Sequence, residues 1–119
     1  MSSFENLVYW QKARQLAKEI YRLSSSFPKT EQFGLSSQLR RAAVSVVSNI
    51  AEGYGRQYRS DYIHFLNIAR GSCYEIEAQL ILCIDLEFLL EQDVVHVRQL
   101  CEEIGKMLNA AIQSLQKKA

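Results

Sequence analysis

One proline, Pro28, and five glycines are all that interrupt 119 residues, and this shortage of chain-breaking residues most narrows the folds open to the sequence. A sheet protein needs frequent turns, and turns draw on glycine, proline and asparagine. Long stretches with apolar residues three and four apart favour helices instead. Four such stretches follow one another.

The first covers about Phe4 to Leu23, with Leu7, Trp10, Ala13, Ala17, Ile20 and Leu23 on one face. Ser24-Ser25-Ser26-Phe27-Pro28 ends it, because serine side chains compete for backbone hydrogen bonds and the residue before proline disfavours helix. The second begins after Thr30, with a short separate turn expected around Gly34, and reaches Glu52. Its inner stripe is Leu35, Leu39, Ala43, Val46 and Ile50, and a second apolar stripe, Val44, Val47 and Ala51, runs beside it. A helix apolar over more than half its circumference is covered on more than one side, which in so small a domain predicts a subunit interface. Gly53-Tyr54-Gly55 closes it, with Gly53 expected in the left-handed conformation that ends many helices.

The third helix is read from Ser60 as N-cap, with Asp61 set favourably against the helix dipole, to about Leu90. It carries Ile63, Leu66, Ala69, Cys73, Ile76, Leu80 and Ile84 inward. Glu91-Gln92-Asp93 is read as a turn. The fourth helix then spans about Asp93 to Lys117, with Val97, Leu100, Ile104, Leu108, Ala111 and Leu115 inward. Long helices joined by short connections predict an all-α, antiparallel up-down-up-down four-helix bundle. Residues 1–119 are expected to form a single domain, a length that buries one modest core.

Cys73, Cys83 and Cys101 each sit in an apolar helical pattern and are expected as buried, reduced thiols of a cytoplasmic protein. No CxxC or Cys/His spacing suggests zinc. The opening Met1-Ser2-Ser3-Phe4-Glu5-Asn6 lacks the basic-then-apolar order of a signal peptide. The most apolar stretch, Ala78 to Leu90, is broken by Gln79, Asp85 and Glu87 and is too short to cross a bilayer.

Little in the chain suggests catalysis. Two Asp-x-x-His pairs, Asp61/His64 and Asp93/His96, lie at opposite ends of the third helix, about 40 Å apart, so they read as caps and solvated histidines rather than a shared metal site. Gly71-Ser72-Cys73 has no nearby histidine or strand-to-helix elbow and reads as a small-residue step between packed helices. Gly53-Tyr54-Gly55 follows a helix rather than a strand, unlike a phosphate-cradling loop. A non-enzymatic protein without metal or cofactor is expected.

Charge is more informative. The net charge of +1 conceals ten basic and five acidic side chains in residues 1–74, against four and eight in residues 75–119. Such a molecule offers a basic surface despite near neutrality. Arg14, Lys18 and Arg22 form an i, i+4, i+8 stripe, and Tyr54 and Tyr58 interleave with Arg56 and Arg59 near the glycine turn. Arginine forks and aromatic faces of this kind suit phosphates and unstacked bases. The competing reading is a solvated face, with Arg41 paired to an acid such as Glu52. The polar side of the second helix, Arg41, Ser45, Ser48, Asn49 and Glu52, reads as a structural network fixing the corner at Gly53.

The run Gln38-Leu39-Arg40-Arg41-Ala42-Ala43-Val44-Ser45, followed by Asn49-Ile50-Ala51-Glu52-Gly53, resembles the signature of a bacterial four-helix-bundle family. Its founding members are encoded in intervening sequences within 23S ribosomal RNA genes. Phe27-Pro28 with Glu31 and Gly34-Leu35, Ile68-Ala69-Arg70-Gly71-Ser72 with Glu75 and Glu77, and Lys106-Met107-Leu108 fit the same pattern, so the resemblance spans nearly the whole chain. It implies a ring assembly, typically a homopentamer. A related branch, the accessory protein of diversity-generating retroelements, binds nucleic acid through basic surfaces and partners a reverse transcriptase. The ribosomal label of the family reflects gene location.

Together these readings point to a non-enzymatic homo-oligomer that contacts RNA or DNA weakly through Arg14, Lys18, Arg22, Arg56 and Arg59. The alternative is a protein-interaction scaffold with no nucleic-acid role.

Overall fold

Serine hydroxyls close the first helix by donating back to it. Ser24, Ser25 and Ser26 donate to the carbonyls of Tyr21, Arg22 and Leu23 at 3.3, 2.7 and 3.1 Å, satisfying acceptors that a helix end leaves open. The computed structural model describes residues 3–118; Met1, Ser2 and Ala119, part of the domain and of the opening segment read above, lie outside the described residues. Four helices follow in order: α1 (Val8–Ser24), α2 (Leu35–Tyr54), α3 (Arg59–Asp85) and α4 (Glu91–Lys117). Short 3₁₀ turns at Phe4–Asn6 and Lys29–Glu31 precede α1 and α2, and no strand occurs among the described residues.

A 27-residue helix is about 40 Å long at 1.5 Å per residue, close to the 48 Å long axis of a body only 22 × 21 Å across. The four-residue link between α2 and α3 and the five-residue link between α3 and α4 therefore reverse the chain. Each helix packs on its sequence neighbour and α4 returns to α1, while the backbones of the diagonal pairs stay apart among the described residues and only long side chains reach across. The expected all-α bundle is the observed one.

The core joins all four apolar stripes. Leu16, Ile20, Leu39, Ile50, Leu66, Ile76, Leu80, Ile104 and Leu108 are fully buried, each favouring the fold by about 1.5–3 kcal/mol of transfer free energy. The stripes read from spacing are largely the buried ones. Leu7, Trp10, Ala17, Leu35, Val47, Ile63, Ile84, Ala111 and Leu115 sit at the core's margin. Cys73, Cys83 and Cys101 are buried as expected, while Leu16, Val94 and Ile112 join the core unanticipated.

The boundaries differ in four places, each for a local reason. The first helix does not run unbroken from Phe4: Leu7 is extended, and the 3₁₀ turn before it is held by the Ser3 hydroxyl accepting from Glu5 N–H and by Phe4 edge-on to Trp10. The third helix starts at Arg59 with Tyr58 as its N-cap, so Ser60 lies inside the first turn rather than capping it. It also ends at Asp85, not Leu90. Glu87 takes φ 64°, and the amides of Leu86, Glu87 and Phe88 donate to Leu82, Ile84 and Cys83 carbonyls, a left-handed helix stop made without glycine. Residues Glu91-Gln92-Asp93 are consequently the first turn of α4, where the Asp93 carboxylate accepts from Leu90 N–H at 2.9 Å.

Gly53 is the fourth difference. It has no positive φ and lies within α2, buried. A Cβ there would sit 2.9 Å from the Phe65 Cβ and 3.2 Å from the Tyr62 carbonyl oxygen, so its role is close approach of α2 to α3. Gly71, read as a packing step, has no neighbour within 4 Å of a built Cβ, nor does Gly105. Gly53→Ala should therefore destabilise the fold by about 1–3 kcal/mol, whereas Gly71→Ala and Gly105→Ala should each stabilise it by about 0.5–1 kcal/mol. Urea denaturation of the three variants checks both the size and the opposite sign.

Candidate nucleic-acid interface

The antiparallel order places the start of α1, the α2–α3 link and the end of α4 at one end of the bundle. Arg14 projects from α1 near this end, its guanidinium carbon 5.8 Å from the Trp10 ring centroid. Arg14 and Lys18 are both exposed, and neither makes an ion pair among the described residues. Arg22, further along α1, is held by Glu19 at 2.5 Å. The five residues read as contacts thus divide by their partners as well as by place.

The α2–α3 link divides in the same way. Arg56 pairs with Glu52 at 2.7 Å and lies 4.8 Å over the Phe65 ring. Arg59 opens α3 without an ion pair among the described residues, adding its charge to the positive end of a helix dipole. Tyr58 beside it exposes 64% of its surface. Tyr54, by contrast, is half-buried with its ring edge-on to Tyr62 at 6.1 Å, so Tyr58 is the open aromatic face of the pair. Arg70 is absorbed into structure, its guanidinium donating to the Asn109 side chain across α3 and α4.

The polar side of α2 splits into two parts. Asn49 donates to the Ser45 carbonyl at 2.8 Å and to its hydroxyl at 3.0 Å. The Ser45 hydroxyl meets that of Ser72 on α3 at 2.9 Å. This chain ties the two helices as a structural network should, but Arg41 and Glu52 are outside it. They share a face of α2 yet lie about 16 Å apart along its axis, so Glu52 pairs with the nearer Arg56 and the expected Arg41–Glu52 pair does not form.

One contact had no signal in the sequence. The hydroxyls of Tyr9 and Tyr62 meet at 2.6 Å, joining α1 to α3 across the bundle end over 53 residues of chain. Burial raises the pKa of both phenols; for Tyr62 the bond to Tyr9 raises it further.

No group of three or more His, Cys, Asp or Glu side chains is placed to hold a metal among the described residues. The three cysteines are free and buried. Burial pushes the Cys73 thiol up to about 12 and the Cys83 thiol up to about 11, and raises Cys101 as well. Thiols held protonated in this way are poor nucleophiles. No helix among the described residues is long and apolar enough to cross a membrane.

Charge follows the helix order. α1 and α2 lie side by side and carry most of the basic excess, whereas the acidic excess belongs to the second half of α3 and to α4. The bundle therefore has a basic flank and an acidic flank.

The model of the family described as 23S rRNA-intervening sequence protein matches residues 5–110. A solved protein of unknown function from the S23 ribosomal protein family, from Bacteroides thetaiotaomicron VPI-5482, is 30% identical with a TM-score of 0.82; the match covers 88% of this chain and 98% of that one. No curated protein matches.

The buried thiols and phenols carry a pH prediction. An unfolded thiol ionises near 9.0 and an unfolded phenol near 10.0, while the folded groups keep their protons to higher pH. The unfolded state then binds fewer protons, so stability is fully present below about pH 9 and falls as pH climbs above it. Urea midpoints should stay level between about pH 7 and 8 and decline steadily between about 9 and 11, with the decline smaller in Cys73→Ala.

Proposed function

This chain belongs to the 23S rRNA-intervening sequence protein family, and from that premise we propose that it is a non-catalytic, homo-oligomeric accessory protein that binds nucleic acid. The observation that carries this reading is the flank of α1 and α2, on which Arg14 and Lys18 have no ion pair among the described residues. Arg59, at the N-terminus of α3, extends it towards the bundle end, with the open Tyr58 ring beside it. Unpaired cations contact phosphates without first breaking a salt bridge, so these three lead, and Arg22 and Arg56 contribute less.

Assembly is the second part of the proposal. Arg14, Ala17, Lys18, Tyr21, Val44 and Val47 line a shallow, largely apolar groove between α1 and α2. Tyr21 and Val44 remain 45% and 44% exposed there. A second copy seated on the apolar strip of Ala17, Tyr21, Val44 and Val47, with the Arg14 and Lys18 head groups left open at its rim, makes a head-to-tail contact that closes into a ring. A pentamer repeats each basic patch five times, and such repetition turns weak contacts into avidity. The free, buried thiols suit the cytoplasm as the place of work.

The same exposed groove favours the scaffold as the second reading, in which it receives another protein and the arginines only solubilise. Fluorescence anisotropy with a structured RNA and a duplex DNA, on protein whose oligomeric mass has been measured, separates the two. Binding should weaken log-linearly with salt, and Arg14→Glu, Lys18→Glu and Arg59→Glu should each lower the salt slope by about 1 per contact removed. Arg22→Glu and Arg56→Glu should change it less. Absence of binding at low salt removes the nucleic-acid reading and leaves the scaffold.

A further inference from the structure

The turn from α1 into α2 leaves a cleft of ≈ 690 Å³ whose charged lining is entirely basic: Lys29, Arg40 and Arg41, with Ser36 and Ser37 beside them. The nearby Glu31 carboxylate is turned to the start of α2, where it accepts from Leu35 N–H at 3.0 Å. Three cations without a lining acid are an uncompensated charge beside the first turns of α2.

Two further features mark this as more than a basic surface. Arg40 is fixed in place: its Nε donates to the Ser24 hydroxyl at 2.8 Å, one terminal nitrogen donates to the Tyr21 carbonyl at 3.3 Å, and the guanidinium lies 4.6 Å over the Tyr21 ring. The other terminal nitrogen makes no hydrogen bond among the described residues. Ser36 is only 9% exposed, yet its hydroxyl has no hydrogen-bond partner among the described residues although it lines the cleft. A hydroxyl at the wall of a cleft with no protein partner is free to donate to an anionic oxygen. The held guanidinium of Arg40, the guanidinium of Arg41, the ammonium of Lys29 and the Ser36 hydroxyl together form a donor set for a tetrahedral oxyanion.

We propose that the cleft between the end of α1 and the start of α2 is a binding site for a phosphomonoester. Lys29, Arg40 and Arg41 neutralise the dianion, and Ser36 donates to one of its oxygens. The cleft is far larger than phosphate alone and falls in the range of small-ligand sites, which leaves room for an attached nucleoside. A free mononucleotide and the phosphorylated 5′ end of a polynucleotide offer the same chemistry. The site uses none of Arg14, Lys18 and Arg59, so it stands apart from the nucleic-acid surface proposed above.

Isothermal titration at low salt with AMP, inorganic phosphate and adenosine tests it. AMP and phosphate should bind and adenosine should not, and Arg41→Ala and Ser36→Ala should each weaken AMP by about tenfold or more. Arg59→Glu should leave AMP affinity unchanged, and circular dichroism verifies that each variant is folded. Failure of both phosphates to bind, or equal affinity in the Arg41→Ala and Ser36→Ala proteins, overturns the proposal. RNA binding that persists without AMP binding likewise overturns it while leaving the nucleic-acid surface intact. Preference for a 5′-phosphorylated over a 5′-hydroxyl RNA assigns the polynucleotide end; AMP binding without that preference assigns the free nucleotide.

Discussion

At Gly53 the backbone of α2 comes so near α3 that a single added carbon would meet the Phe65 Cβ at 2.9 Å. Much of the architecture depends on that approach. It brings Ser45 within 2.9 Å of Ser72 further along the same seam, and it allows a four-residue link to reverse the chain. It also seats Tyr62 where its hydroxyl reaches Tyr9 on the opposite helix. Close packing, a short hydrogen-bonded chain and a cross-bundle tie therefore share one cause, a missing side chain.

The other end of the bundle is organised by filling rather than by closeness. Phe27, following the serine run, and Phe88, following the left-handed Glu87, meet with ring centroids 5.6 Å apart. Each comes from a connection, so the two loops at that end are anchored by an aromatic pair rather than left on the surface. The turn that carries Phe27 towards Phe88 is also the one that opens the cleft at Lys29, Arg40 and Arg41. A packing requirement of the core thereby shapes a charged concavity outside it.

The proposed function depends on what the fold leaves unpaired. Salt bridges consume Arg22 and Arg56, hydrogen bonds hold Arg40 and Arg70, and Arg14, Lys18, Arg41 and Arg59 remain without ion pairs among the described residues. An exposed ion pair contributes little to stability, but it determines which charges are open to a partner. The basic flank of α1 and α2 is thus a smaller and more specific surface than the count of arginines suggests, and it lies back to back with an acidic flank on α3 and α4.

By themselves the residues determined the class of fold, the number of helices and most of the core, because spacing of three and four between apolar residues is a property of the chain alone. Leu39, Ala43, Val46 and Ile50, or Val97, Leu100, Ile104 and Leu108, could be placed inside without knowing their neighbours. The charge division between the two parts of the chain was equally plain, since it requires only counting. Tertiary structure decided the rest. Whether Gly53 turns the chain or admits a neighbouring helix depends on Phe65 and Tyr62, and a helix stop at Glu87 has no glycine to announce it. The pairing of Glu52 with Arg56 rather than Arg41 depends on distance along a helix, and the meeting of Tyr9 with Tyr62 depends on how distant helices are set side by side. Periodicity reports which way a side chain faces; only packing reports what it meets there.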